Sequence, residues 1–269
     1  MNKLASLFLF IATISSIDCE LCARLGRHIL QHQCVLTPEG TEGPYYLPYH
    51  LVRSDIRENR PGLQFKLKFK VTDITKCEPM KNVTIDIWQA DALGTYSSYT
   101  KNLPTTVPKS VLHADPTDNT TFLRGVQITD DNGEVEFMTV FPGKFPLISE
   151  LFLVFKFFPI QFKGQYAFRT PHIHLQAHVN GTTVHVAQLY FENSLNNRMA
   201  RLTPYKQRVN KEIRNEDDYI FRRDNGDATI IHNIKSLDGK RLSRGLNGEM
   251  IIGIDPSHES SSALHGRQE

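Results

Sequence analysis

His172 and His174 stand two residues apart in Arg169-Thr170-Pro171-His172-Ile173-His174, within a stretch that reads as a β-strand. Side chains two apart on a strand leave from the same face, so both imidazoles can reach one metal ion. Arg169, one short turn upstream, is set to meet an anionic substrate. Two tyrosines occur in turn-like settings, Tyr96 in Gly94-Thr95-Tyr96-Ser97 and Tyr166 in Gly164-Gln165-Tyr166. Two phenolates and two neutral imidazoles form a hard oxygen and nitrogen donor set that suits ferric iron. Each feature alone has an ordinary reading: hydrogen-bonded interior histidines, a salt-bridging arginine, a packing tyrosine. Their combination carries the metal reading.

Such groups need a rigid frame, and the apolar periodicity supplies one. Phe65, Leu67, Phe69 and Val71 alternate with Lys66, Lys68 and Lys70, the pattern of a strand with one wet face. Val83, Ile85 and Ile87 alternate next, and Val135, Phe137 and Thr139 follow the turn Asp130-Asp131-Asn132-Gly133. Asn180-Gly181 divides His172–Val179 from Thr182–Phe191 and predicts a hairpin. Ile251 to Ile254 reads as a closing strand. Leu21, Leu25 and Ile29 at helical spacing predict one short N-terminal helix within residues 20–33. The expected fold is all-β: a β-sandwich with long loops and that short helix.

Composition bounds the rest. The chain has 269 residues, 40% apolar and 22% charged, with a formal charge of +2. That balance is ordinary for a globular protein and argues against general nucleic-acid binding. Lys3 followed by the apolar run Leu4–Ile14 and then Ser15 and Ser16 reads as a signal peptide spanning residues 1–18, too short to anchor in a membrane. Secretion makes Cys34 and Cys77, which flank the first strands, the expected disulfide, with Cys22 left over if Cys19 departs with the leader. The spacing of the four cysteines fits no zinc pattern. Asn82, Asn119 and Asn180 each begin a glycosylation sequon. Arg198 to Asp224 mixes both charge signs densely and reads as a solvated face or loop. Residues 19–39 are read as helix and linker, 40–256 as the sandwich domain, and 257–269 as a polar, disordered tail.

Several stretches, taken in order, resemble the intradiol ring-cleavage catechol dioxygenases, especially secreted forms from fungi and plant-feeding arthropods. Thr41-Glu42-Gly43-Pro44-Tyr45-Tyr46 is similar to the family's opening motif, and Asp86 to Ser97 (DIWQADALGTYS) to the strand and loop carrying its first tyrosine ligand. Phe122 to Gln127 with Thr129-Asp130 resembles the next strand. Arg169 to His174 resembles the histidine-ligand motif, and Gln188-Leu189-Tyr190-Phe191 the strand after it. The resemblance implies that Tyr96, Tyr166, His172 and His174 bind Fe(III), with Tyr166 and His174 axial. It implies a catechol-type substrate bound as a chelating dianion, O2 as co-substrate and a muconate-type product. Tyr166 would help take up the substrate's protons, Arg169 would stabilise charge developing on it, and Pro44 and Gln188 would border it.

One segment departs from the family pattern. Phe141-Pro142-Gly143 is followed by Lys144–Gly164 (KFPLISELFLVFKFFPIQFKG) before Gln165-Tyr166-Ala167-Phe168-Arg169. Deleting Lys144–Gly164 gives FPG-QYAFR-TPHIH, the spacing the family leads one to expect. The insert is rich in Phe and Leu and lacks alternation, and apolar loops of this length are uncommon in compact domains. Gly-Lys-Phe can be encoded with a splice-donor sequence, GTAAGT, and Phe-Lys-Gly with an acceptor AG. The segment reads as a retained intron or gene-model error; a genuine family-specific loop is the alternative.

Two rivals to the dioxygenase reading stand: a catalytically silent β-sandwich binding phenolics or a protein partner, and a copper or zinc site using the two histidines alone. The second leaves the tyrosine motifs unexplained. A single short helix is a poor basis for the helical dimer interface of bacterial relatives, so a monomer is expected.

Overall fold

The structure is a computed structural model that describes residues 34–101, 113–144, 169–207 and 214–262. The expected signal peptide and N-terminal helix, Tyr166, and all of the insert except Lys144 lie outside those residues.

Two sheets pack face to face. The first joins β1 (Gln64–Asp73), β2 (Glu78–Pro79), β5 (Glu134–Val140), β8 (Asn233–Ser236) and β9 (Leu246–Ile254). Its order is β5-β1-β9-β8, with β2 extending the end of β1 and with β1 and β9 parallel. The second is antiparallel, in the order β4-β3-β6-β7, from β3 (Thr84–Gln89), β4 (Arg124–Ile128), β6 (His172–Val179) and β7 (Thr182–Tyr190). The alternation seen in β1 does what it predicts. Phe65, Leu67, Phe69 and Val71 are fully buried between the sheets, each such burial being worth about 1.5–3 kcal/mol. On the wet face Lys66 pairs with Glu136 and Lys68 with Glu134. Asn180 and Gly181 both take positive φ (50° and 84°), the type I′ geometry that closes the β6–β7 hairpin.

The second sheet is covered on both sides. Ile85, Ile87, Ile173, Leu175, Ala187 and Leu189 enter the inter-sheet core. The alternate residues Trp88, His172, His174, Gln176, Gln188 and Tyr190 are also buried, beneath a layer built around Tyr45, Tyr46, Tyr96, Tyr99 and Ala114. A strand buried on both faces shows no wet alternation, which is why HIHLQAHV does not look amphipathic.

Several expectations need correction. The closing strand starts at Leu246 rather than Ile251, and β8 is added beside it. Residues 34–39 are part of the sandwich instead of a linker: the Thr37 amide donates to the Gly253 carbonyl at 2.9 Å, and the Gly253 amide donates to Thr37 Oγ1 at 3.0 Å. Cys34 is disulfide-bonded to Cys77 across a separation of 43 residues, a loop whose closure in the unfolded chain is worth about 4 kcal/mol. The tail does not leave the domain at Ser257, because Ser260 is buried and its amide donates to the Thr183 carbonyl. The charged stretch 198–224 is no solvated loop: it carries the end of helix α1 (Asn193–Met199) and the whole of α2 (Tyr219–Arg223), and it buries Tyr205, Asn215 and Asp218. Asn82, Asn119 and Asn180 are all exposed.

Candidate metal centre

The strand registers decide which side chains meet. His174 lies opposite Trp88 on β3 and Gln188 on β7, and His172 lies opposite Tyr190. Trp88 stacks flat on the His174 ring, centroids 4.8 Å apart and 10° from parallel. Gly43 packs close to the same ring. A Cβ at that position would sit 3.2 Å from His174 Cε1, and its φ of +82° is a conformation that L side chains rarely adopt. A Gly43→Ala variant is expected to lose about 1–2 kcal/mol of stability in urea denaturation, the usual cost of forcing a side chain into that region, and to tilt His174.

Tyr96 arrives from the loop after β3. Its ring packs on Tyr45 at 4.7 Å, and its hydroxyl lies 3.4 Å from His172 Nε2 and 3.1 Å from His174 Nε2. The two Nε2 atoms are 3.1 Å apart. Three donor atoms therefore form a triangle with sides of 3.1–3.4 Å, the spacing that metal–ligand bonds of about 2.0–2.2 Å give at angles of about 90–115°. His172 Nδ1 donates to the Thr170 carbonyl at 2.7 Å, which directs the bare Nε2 lone pair inward, the arrangement typical of a ligating histidine. Burial, reinforced by the Arg169 charge, pushes the His172 imidazole down to about 3, and burial followed by His172 and Arg169 holds His174 well below its ordinary value. Both rings are neutral at physiological pH, the form that ligates. Among the described residues no group of three His, Cys, Asp or Glu can hold a metal ion. Among the described residues the group that joins the two histidines is the Tyr96 hydroxyl, an oxygen donor that fits iron better than zinc or copper on two histidines.

Arg169 is buried beside this triangle. Its Nε donates to both Asp218 oxygens at 2.9 and 2.8 Å, and its NH2 group donates to Gln188 Oε1 and to the Tyr190 hydroxyl. Burial works against the guanidinium charge, but Tyr190, Asp218 and Tyr96 outweigh it and hold its pKa above the ordinary value. Gln188 is held at both ends of its amide: its Oε1 also accepts from the Tyr190 hydroxyl, and its Nε2 donates to the Thr41 carbonyl at 2.6 Å. Pro44 is buried, with its carbonyl accepting from the Ala114 amide at 2.9 Å. Of the residues expected at the site, Tyr96, His172, His174, Arg169 and Gln188 come together and Pro44 lies in the covering layer. Tyr166 lies outside the described residues.

Sequence reasoning missed three supports. Asp218 had no local signal beyond its acidity. Trp88, the single tryptophan, carries no local mark of its stacking on a histidine. Glu42, fully buried, accepts from His113 Nε2 at 2.8 Å and from Gln176 Nε2. Opposite Gln176 on β6, burial pushes the Asp86 carboxyl up to about 7, against the pull of Arg124 and Tyr46 and with Glu42 adding to it. A raised carboxyl pKa means that the folded state holds a proton the unfolded chain releases near pH 3.9. Its contribution to stability is full below that value and is lost as the pH rises through about 7. The expected result is that an Asp86→Asn variant loses less stability than the parent between pH 5 and pH 8. Urea titrations at both pH values check it, and identical pH slopes would refute it.

The family model described as Dioxygenase matches residues 41–217. The intradiol ring-cleavage dioxygenase from Tetranychus urticae superposes with a TM-score of 0.70 at 34% identity, over 85% of this chain and 98% of that one. The dioxygenase domain of a carbohydrate-binding fusion protein from Streptomyces sp. SirexAA-E aligns at 25% identity and a TM-score of 0.51, over 82% of this chain and 99% of that one. Catechol 1,2-dioxygenase from Pseudomonas arvilla C-1, at 19% identity and a TM-score of 0.52 over 81% of this chain and 62% of that one, shares the fold. Among curated proteins none matches this chain. The family match over most of the described sandwich, together with the arthropod relative along nearly its whole length, establishes that this chain belongs to the intradiol ring-cleavage dioxygenases.

Proposed function

We propose that this dioxygenase is a secreted Fe(III) enzyme that opens catechol-type rings between the two hydroxylated carbons with O2, giving muconate-type products. The observation that carries the reading is the convergence of Tyr96 Oη, His172 Nε2 and His174 Nε2 within 3.1–3.4 Å of one another. These three, with Tyr166 as the fourth ligand by family resemblance, would hold the iron, which when bound supplies a Lewis acid and the redox contact that makes a catechol reactive toward O2.

The chain's own residues do the rest. His172 is kept in the ligating tautomer by its bond to the Thr170 carbonyl. Trp88 stacks on His174 and Tyr45 packs at a tilt on Tyr96, and all four side chains are buried. Arg169, charged and fixed by Asp218, favours the ionised substrate and negative charge developing on it. Gln188 orients that guanidinium and ties it to Thr41 in the covering layer.

Secretion is supported by the apolar leader, by the Cys34–Cys77 disulfide and by three exposed sequon asparagines. The artefact reading of Lys144–Gly164 is supported by the ends it joins. Gly143, Lys144 and Pro171 border one cavity of about 160 Å³, so the chain leaves the described sandwich and rejoins it beside the same cavity. Sequencing the transcript decides it: a dominant message containing the insert would sink the idea.

The test of function is the visible absorption spectrum of iron-loaded protein, with and without Lys144–Gly164, before and after catechol is added under nitrogen. A tyrosinate-to-iron charge-transfer band that shifts with catechol is the expected result. A band in the deleted form alone marks the insert as inactivating. Its absence from both forms defeats the iron assignment and returns the silent binding domain.

A further inference from the structure

We propose that Asp91 is a positioning residue for the metal centre: it locks the loop that presents Tyr96 and clamps that loop to the turn Phe141-Pro142-Gly143. The proposal rests on the metal-centre reading above and deepens it.

Asp91 is almost fully buried (2% exposed) at the end of the strand that carries Trp88, five residues before Tyr96. Its Oδ1 accepts from the amides of Leu93 and Thr95, both at 2.9 Å. Its own amide donates to the Thr95 carbonyl at 2.8 Å, and the Gly94 amide donates back to the Asp91 carbonyl at 2.9 Å. One residue thus binds the Leu93, Gly94 and Thr95 amides and the Thr95 carbonyl. The loop has no regular structure to hold it, so this local side-chain bonding decides its shape.

The same residue reaches a second segment. The Asp91 carbonyl also accepts from the Gly143 amide at 2.9 Å. The two backbones touch so closely that a Cβ on Gly143 would lie 2.2 Å from the Ala92 carbonyl oxygen. Gly143 ends the turn from which the chain departs toward the segment containing Tyr166. The loops leading to both candidate tyrosines are therefore joined at Asp91. Oδ2 is taken by Arg60, whose guanidinium lies 4.1 Å above the Phe122 ring. Arg60 neutralises the buried carboxylate while leaving Oδ1 to the loop. Asp91 does not touch the donor triangle, so it acts through Tyr96.

Asp91→Ala removes the acceptor for both loop amides. Asp91→Asn keeps an oxygen for them and loses only the charge facing Arg60. In Asp91→Ala the expected results are a tyrosinate–iron band that is weakened or moved, iron affinity lower by about 10–100-fold, the range for groups that orient metal ligands, and faster hydrogen exchange at the Leu93 and Thr95 amides of the metal-free protein. Asp91→Asn is expected to restore the band and most of the amide protection, so the proposal remains testable if the alanine variant fails to fold. A folded Asp91→Ala protein with the parent's band, iron affinity and amide protection would overturn the proposal. So would an Asp91→Asn protein as damaged at the loop amides as Asp91→Ala. If the parent itself gives no band with iron, the metal reading has failed, and the amide exchange, measured without metal, still judges the loop.

Discussion

Replacing Asp218 with alanine is expected to cost about 3–5 kcal/mol of stability, the loss seen when one partner of a buried ion pair is removed. The Asp218 side chain is fully buried and accepts from Arg169 Nε at both oxygens. It also accepts from the Thr170 amide and, as the cap of α2, from the amides of Ile220 and Phe221. Without it Arg169 remains buried with only the neutral Gln188 and Tyr190 as partners, and the helix loses a cap worth about 1 kcal/mol. Urea denaturation with an unchanged slope is the measurement. A double variant, Arg169→Met with Asp218→Leu, is expected to recover much of the loss, because the penalty lies in the orphaned charge rather than in the missing bond. A loss below about 1 kcal/mol for Asp218→Ala, the scale of a solvent-screened pair, would contradict the buried pairing.

Tyr96→Phe is the second large effect, and it falls on function. The substitution deletes one atom from the triangle of donors and leaves the ring in its stack on Tyr45. The fold should therefore persist with little change in melting temperature. Iron affinity is expected to drop by more than about 100-fold, beyond the loss typical for groups that merely orient a ligand, and ring cleavage should fall with it. Iron content after dialysis against a weak chelator reads this directly. A Tyr96→Phe protein that retains stoichiometric iron and turnover would remove Tyr96 from the ligand set. The pairing of a large functional loss with near-normal stability separates this variant from Asp218→Ala, where stability leads.

The local order along the chain was enough to read the all-β sandwich, the β6–β7 hairpin and the shared face of His172 and His174. Strand periodicity and turn residues are short-range properties, and a two-residue offset fixes a common face whatever the rest of the chain does. Tyr96 came into view through its turn-like setting and through the resemblance of Asp86–Ser97 to the family's strand and loop. Residues 198–224 were misread for a related reason. Dense mixed charge usually marks a solvated face, and nothing near Asp218 in the chain says that its partner, Arg169, lies 49 residues away.

Burial is a pairwise property of distant segments, and only the tertiary structure decides it. Trp88 comes to lie on His174 through the register between β3 and β6. Gly43 comes close to the same ring because the Thr41–Tyr46 segment folds over the sheet. The sequence by itself determined which residue types were available to hold a metal and that two of them share a strand face. The tertiary structure decided that Tyr96 meets them, that Arg169 keeps its charge in a buried place, and that Asp91 ties the Tyr96 loop to Gly143. The physical reason is that donor geometry and desolvation depend on distances across the sheet, which local spacing along the chain does not encode.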